Sequence, residues 1–392
     1  MTTDALPPAQ HKIVLSALAV IALFGLTVQQ TASTKLALLF ITGTALGMAL
    51  YHSIFGFTSA FRVLLADGRS AGFRAQMIML GSACLLFFPA LAGGTLFGQP
   101  VEGNVSPVSV SVVFGSFIFG IGMQLGGGCA SGTLFTAGGG SVRMLVTLLF
   151  FIIGSVFGVM HQGWWKALPS LEPISLVAMF GWLPALVLNM SVFTLAYVAV
   201  ARIEQRRHGR LEAISHIENA SWLRGPWPLL AGALALALLN FATLYQSGKP
   251  WGITSAFGLW GGMALQTAGV PVETWPGYSA PAMQKALAGN LLSDVTSVMD
   301  FGIIIGAFLA AGLARKFKPE WRVSWPHLVA SVLGGLLLGY GARLAYGCNI
   351  GAFFSGIASG SLHGWLWIVF ALIGNWAGIY LRPLFKLAVV RS

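Results

Sequence analysis

Charge is scarce in this sequence and cysteine is scarcer. Only 8% of the 392 residues are Asp, Glu, Lys or Arg, against roughly 25% in a soluble domain. So few charges cannot cover an ordinary water-facing surface. The three cysteines, Cys84, Cys129 and Cys348, are too few and too deep in apolar context for a secreted disulfide framework and are read as thiols. No group of His, Cys, Asp and Glu has metal-ligand spacing, and His52, His161 and His363 fall at the edges of apolar runs. The sequence has no GK[ST] phosphate-loop ending, and "GSFIFGIG" lacks the strand and helix context of a dinucleotide fingerprint. Hence neither cofactor nor metal is expected, and an ATP-driven pump on this chain alone is excluded.

Apolar residues are abundant, at 56%, in runs of about 17 to 25, each able to cross a hydrocarbon core of ~30 Å as a helix. The runs do not alternate, which argues against a membrane barrel. Long spans are expected near 13–29, 34–51, 73–95, 107–126, 142–161, 174–200, 226–245, 288–313, 327–346 and 365–385. Four pieces, at 53–66, 129–138, 250–266 and 348–360, are too short to cross and read as re-entrant helices. The expected fold is therefore an all-α polytopic membrane protein, with about ten transmembrane helices and about four short re-entrant ones. Lys12 and the apolar stretch up to Leu26 resemble a signal-peptide core, yet the topology works with this segment kept as a span.

The net charge of +11 follows from basic residues in short loops rather than from a nucleic-acid face. With ten crossings, the side of the N-terminus collects seventeen of the 22 Lys and Arg, Arg62, Arg74, Arg143, Arg382 and Arg391 among them. The other side has Lys35, Lys166, Lys249 and Lys285, and Arg343 is left inside a span. The positive-inside rule then places both termini in the cytoplasm. His363, at the start of the last span, is expected at the interface.

Two phrases repeat. "GIGMQLGGGCASG" (120–132) and "GYGARLAYGCNIG" (339–351) match without a gap, and "FGFTSAF" (55–61) matches "WGITSAF" (251–257). Each half runs span, TSAF segment, span, span, GC segment, span. In the first half the short segments lie on the cytoplasmic side, and in the second they lie outside. The reading is a first repeat over 1–201 with extra N-terminal and linking spans, a cytoplasmic linker over 202–225, and a second, inverted repeat over 226–392. Inverted repeats with interrupted helices are a common plan for a solute pathway through the midplane.

The glycines of the GC phrases, Gly128 and Gly347 among them, allow close backbone approach; tight helix packing is the competing reading. After each cysteine a short helix is expected, with Ser131 and Asn349 as natural starting residues. Its free amides and dipole would attract an anion without a fixed charge. Thr58, Ser59, Thr254 and Ser255 offer hydroxyls at the TSAF segments. The neutral thiols of Cys129 and Cys348 are weak, polarizable donors that suit a soft sulfur-bearing anion such as thiosulfate better than tightly hydrated sulfate. For Cys84 the reading as a small buried hydrophobe is preferred.

Arg343 could attract an incoming anion or pair with an acid. Asp294 and Asp300, six residues apart early in the eighth span, are candidates for that pair or for proton coupling. A rival reading is a membrane-embedded enzyme in which Cys129 and Cys348 form a redox or sulfur-transfer pair; it predicts a covalent intermediate. A structural subunit that tolerates loss of both thiols is a third.

At these residues the sequence resembles the YeeE/YedE family of membrane proteins, transporters of thiosulfate and related sulfur compounds. The resemblance rests on "FIFGIGMQLGGGCASGTLFTAGGG" (117–140), "GGLLLGYGARLAYGCNIG" (334–351), "PWGITSAF" (250–257) and "GWLWIVFALIGNW" (364–376). It implies a helical pseudo-symmetric bundle in the bacterial inner membrane. It also implies thiol contact between a passing anion and Cys129 and Cys348, and a small cytoplasmic sulfur-carrier protein as partner. A third family cysteine corresponds here to Gly56, so one thiol of the implied relay is missing and the identity of the sulfur or selenium solute stays open.

Overall fold

The computed structural model describes residues 9–218 and 220–390, so Arg391 of the charge tally lies outside the described residues. Ten candidate crossings are present among them, judged by length and apolarity. In chain order the helices are α1 (His11–Thr31), α2 (Thr34–Ser53), α3 (Phe57–Asp67), α4 (Ala71–Gly93), α5 (Val110–Gly126), α6 (Ala130–Gly138), α7 (Val142–Met160), the short α8 (Gln162–Lys166) and α9 (Leu176–Phe180), and α10 (Trp182–His208). After a polar stretch come α11 (Leu229–Ser247), α12 (Thr254–Thr267), α13 (Pro281–Ala288), α14 (Val295–Leu313) and α15 (Trp325–Leu344). A π-helical segment, Asn349–Ser355, continues into α16 (Gly356–Ala358), and α17 (Leu362–Leu381) closes the chain. Among the described residues, extended structure is limited to two-residue strand pairs and an isolated bridge between Ser175 and Ser361. The all-α polytopic reading and the four short segments hold.

The ends of the spans follow local chemistry. Ser33 and Ser109 cap α2 and α5 by accepting from Leu36 N and Val112 N. The eighth span begins at Val295, not near 288, because Asp294 is its N-cap and accepts from Ser297 N and Ser297 Oγ, both at 2.7 Å. The expected span 174–200 is broken at Gly181 (φ 80°) into α9 and α10, and α10 runs on to His208. Its extension carries Glu204, which is fully buried and accepts from Ser70 N (3.0 Å), Glu212 N (3.0 Å) and Arg74 Nη2 (3.3 Å). Arg74 is thus a buried ion-pair partner; removing it would take away the counter-charge of Glu204 while leaving the bonds from Ser70 and Glu212.

The two halves pack through each other. α15 lies against both α7 and α5, α17 against α5, α14 against α2, and α11 against α4 and α2. Glycine makes the closest crossings possible. A Cβ on Gly122 would stand 2.8 Å from Leu338 N, and one on Gly341 would stand 2.9 Å from Phe119 N. Adding 219 to Gly122 and Phe119 gives Gly341 and Leu338, so each crossing is the exchanged copy of the other. This exchange is consistent with two inverted repeats about a pseudo-twofold axis. Below, the near face is the one where α1 begins; the far face is opposite.

Candidate functional site

Both GC phrases unwind a long helix and start a short one. In the first half, α5 ends at Gly126 and Gly127 takes φ 86°, a left-handed conformation that suits glycine. Its freed carbonyls are met by Arg143 Nη2 on Leu125 O (2.7 Å), Thr147 Oγ1 on Gly126 O (3.2 Å) and Arg382 Nη1 on Gln124 O. Cys129 then caps α6 in extended conformation, its carbonyl accepting from Thr133 N at 2.8 Å. Its Sγ lies 3.3 Å from Ser131 Oγ.

In the second half the left-handed position falls on a bulky residue, Tyr346 (φ 54°), followed by Gly347 at φ 146°. Cys348 caps the next segment, its Sγ accepting from Ile350 N at 3.4 Å. The Cys348 carbonyl accepts from both Ala352 N (2.8 Å) and Phe353 N (3.3 Å), which widens the turn into a π-helix. The glycine before each thiol is required by the backbone: a Cβ on Gly128 would meet Thr133 N at 3.1 Å, and one on Gly347 would meet Ala352 N at 2.7 Å. The expectation that Ser131 and Asn349 cap these helices is corrected. The cysteines take the cap position because their residues are the extended ones, and Ser131 and Asn349 fall one or two positions inside. Asn349 is fully buried, and neither of its side-chain amide atoms has a hydrogen-bond partner.

Two cavities approach the thiols from opposite faces. The near cavity, about 610 Å³, is lined by Gly56, Thr58, Ser59, Gly127, Gly128 and Cys129 and rimmed by Glu218, Arg224 and Lys316. The far cavity, about 480 Å³, is lined by Thr254, Ser255, Met299, Arg343, Gly347 and Gly351 and rimmed by Glu102 and Lys249. They share no lining residue. Cys348, next to Gly347 in the chain, is fully buried and lines neither cavity, and Ser131, Asn349 and Asp300 are likewise fully buried. A buried aromatic cluster packs around the π segment, with Phe353 against Phe57 (6.4 Å between ring centroids), Phe61 (6.3 Å) and Trp367 (6.3 Å).

Polar groups around the TSAF segments are sparsely satisfied. Thr58 Oγ1 is buried without a partner, Ser59 Oγ donates to Gly56 O (3.0 Å) and Ser255 Oγ to Thr296 Oγ1 (3.0 Å). The Thr58 carbonyl accepts from Gln124 Nε2 (3.3 Å), and its repeat equivalent, the Thr254 carbonyl, accepts from Arg343 Nη1 (3.5 Å). Arg343 and Asp300 take part in none of the four ion pairs among the described residues, so of the two alternatives for Arg343 the pairing with an acid is not made. Asp294 is occupied in capping α14. Tyr278 lies beside Arg343 and donates to Gly258 O at 2.6 Å; burial pushes its phenol up to about 12, so it supplies no counter-charge.

His363 is not interfacial. It is fully buried against Gly356 at the start of α16, with Nδ1 2.6 Å from Ser361 Oγ. Cys84 is also fully buried, its Sγ 3.7 Å from Ile357 O, and it lines neither cavity. Gly56, by contrast, lines the near cavity together with Cys129. Sequence reading passed over the Gln124–Asn375 bond (2.6 Å), which fixes the amide that reaches Thr58; the alignment of Gln124 with Arg343 was the available signal.

A family model described as "Sulphur transport" matches residues 52–377. The chain is 27% identical to the thiosulfate transporter TsuA of Spirochaeta thermophila over 86% of its own length and 96% of that protein. It is 28% identical to TsuA of Escherichia coli K12, over 88% and 94% respectively. With the probable transporter YedE of Escherichia coli K12 the identity is 33%, but the match covers 43% of this chain and 42% of the relative. The chain therefore spans less than half the length of that relative.

Proposed function

The chain belongs to the sulphur transport family, and from that premise we propose that it is a permease carrying a small sulfur-containing anion, thiosulfate foremost, across the bacterial inner membrane into the cytoplasm. The near face is cytoplasmic in this reading, supported by the concentration of Lys and Arg there. One observation carries the proposal: two uncharged thiols each cap a short buried helix, Cys129 lining the near cavity and Cys348 following Gly347, which lines the far one. The likeness to two proteins named thiosulfate transporters supports the choice of solute.

The anion enters the far cavity, where Arg343 draws it toward Thr254 and Gly347. Free amides and the dipole at each helix start offset its charge, an interaction of about 0.3–1 kcal/mol per terminus at an exposed site and up to ~2 when partly buried. Cys348 and then Cys129 donate weak S–H hydrogen bonds, which hold the solute without trapping it. Thr58 and Ser59 receive it in the near cavity. Gly56 leaves that cavity without a second thiol, and Cys84 is too remote from it to substitute. The basic groove formed by Arg143, Lys318 and Arg322 on the near face suits an acidic cytoplasmic sulfur carrier.

Proteoliposomes holding the purified chain test this reading. Sulfur-labelled thiosulfate is expected to enter and exchange, with competition by selenium analogues stronger than by sulfate. Sulfate competing as well as thiosulfate, or a covalent thiol adduct forming during turnover, would overturn it.

A further inference from the structure

Asp300 is unused by the pathway described above. It lies in the second turn of α14, is fully buried, and neither carboxylate oxygen has a hydrogen-bond partner. Val295 and Thr296, about one turn earlier on α14, and the adjacent Met299 line the far cavity, so Asp300 lies within one helical turn of that lining. The elements packed against α14 offer it no cation. α6 and α12 contain no Asp, Glu, His, Lys or Arg. α2 carries Lys35, Tyr51 and His52 only at its ends, and α1 carries His11 and Lys12 at the opposite end of α14, where Gln10 N bonds Gly312 O. The titratable groups within electrostatic reach are Asp294, at the start of α14, and Cys348, on the π segment. A bare ionised carboxylate flanked by another acid is costly in such a place, whereas the neutral acid is tolerated.

We propose that Asp300 is a proton-binding site coupled to anion passage: its carboxylate takes one proton from the far cavity, forming an O–H bond, and returns it to water on the near side in each inward cycle. The inference rests on the permease reading and deepens it. A dianion moving into a negative cell works against the membrane potential once per charge, and a proton moving with it removes half of that opposition. Cys348, beside Asp300, would link solute occupancy to protonation, because an anion at the thiol favours the neutral acid nearby.

The test uses the full-length chain in proteoliposomes with the potential clamped at zero by potassium and valinomycin, reading the steady-state ratio of internal to external labelled thiosulfate. For one proton per anion, a gradient of one pH unit, acid outside, sets a ratio of about ten, since one pH unit is a factor of ten in proton activity. In D300N the ratio is expected near one while exchange of labelled for unlabelled thiosulfate continues. A wild-type ratio near one, or a D300N ratio near ten, overturns the proposal while continued exchange leaves the permease reading standing. Absence of exchange in the wild type removes both. If D300N fails to elute as a monodisperse protein, D300E decides: it is expected to keep the tenfold ratio and shift the pH midpoint of the initial rate, and an unshifted midpoint overturns the proposal.

Discussion

The two TSAF segments are held alike but charged differently. The carbonyl of Thr58 accepts from a neutral amide, Gln124, itself bonded to Asn375, while the carbonyl of Thr254 accepts from the guanidinium of Arg343, whose Nε is buried without a partner. The same backbone contact is therefore built twice, once through a neutral amide pair, Gln124 with Asn375, whose Gln124 Oε1 has no partner, and once with a positive charge facing a cavity. Geometry repeats where packing demands it, and charge departs from the repeat where the two faces have different tasks. An anion approaching from the far side meets Arg343, whereas on the near side the repeat-equivalent position holds the neutral Gln124 and the cavity's cations are Arg224 and Lys316 from other segments.

The broadest challenge to this comparison is to remove what the halves share. Alanine at Cys129 or at Cys348 is expected to lower thiosulfate flux by two orders of magnitude or more, a loss of about 2.7 kcal/mol in transition-state stabilisation, while alanine at Cys84 leaves it within about twofold. Equal retention of flux in the first two variants would end the role of the thiols. Next is the charge difference: Arg343→Gln should raise the half-saturating thiosulfate concentration about tenfold, a change of ~1.4 kcal/mol in binding, with little change in maximal rate and a weaker dependence on salt. Unaltered affinity and salt response would show that the guanidinium serves packing alone.

Smaller effects sharpen the symmetry itself. Gly122→Ala and Gly341→Ala each place a methyl group against backbone at 2.8 and 2.9 Å and should each destabilise the detergent-purified protein by about 1–3 kcal/mol. Losses in melting temperature that differ widely would break the equivalence of the crossings. Last come the left-handed positions. Gly127→Ala should cost about 1 kcal/mol, because a Cβ is disfavoured at φ 86°, whereas Tyr346→Gly relieves strain and loses burial, so its net effect on melting should be smaller in magnitude.

How legible the site was depended on the kind of information each residue carries. Cys129, Cys348, Gly128 and Gly347 were readable because they recur in register, and the structure places each pair at equivalent turns. Thr58, Ser59, Thr254 and Ser255 were readable for the same reason and do line the two cavities. Ser131 and Asn349 were misplaced by one or two positions because cap preference is weak beside backbone geometry, which put the cysteines at the caps. His363 and Arg74 sit close to span ends, where interfacial exposure is the usual outcome, yet both are covered: His363 by the fold-back of the segment just before it, at Gly356, and Arg74 by the extension of α10, distant in sequence. The π-helical turn itself left no mark, since a second acceptor bond at one carbonyl is a product of packing.

What the sequence determined alone was the membrane class, the ten apolar spans, the doubling of the chain and the concentration of basic charge on one side. Each is a sum or a recurrence along the chain, and burying apolar length in lipid requires no knowledge of neighbours. Only the tertiary structure decided that Cys348 is buried outside the cavity lining, that Arg343 has no acidic partner among the described residues, and that Asp300 is buried next to Met299 of the far-cavity lining. Those are facts about which helix covers which side chain, and coverage in a bundle is settled by close glycine crossings such as Gly47 on Ile303 and Gly154 on Leu336, between segments far apart in the chain, not by anything local to the residue concerned.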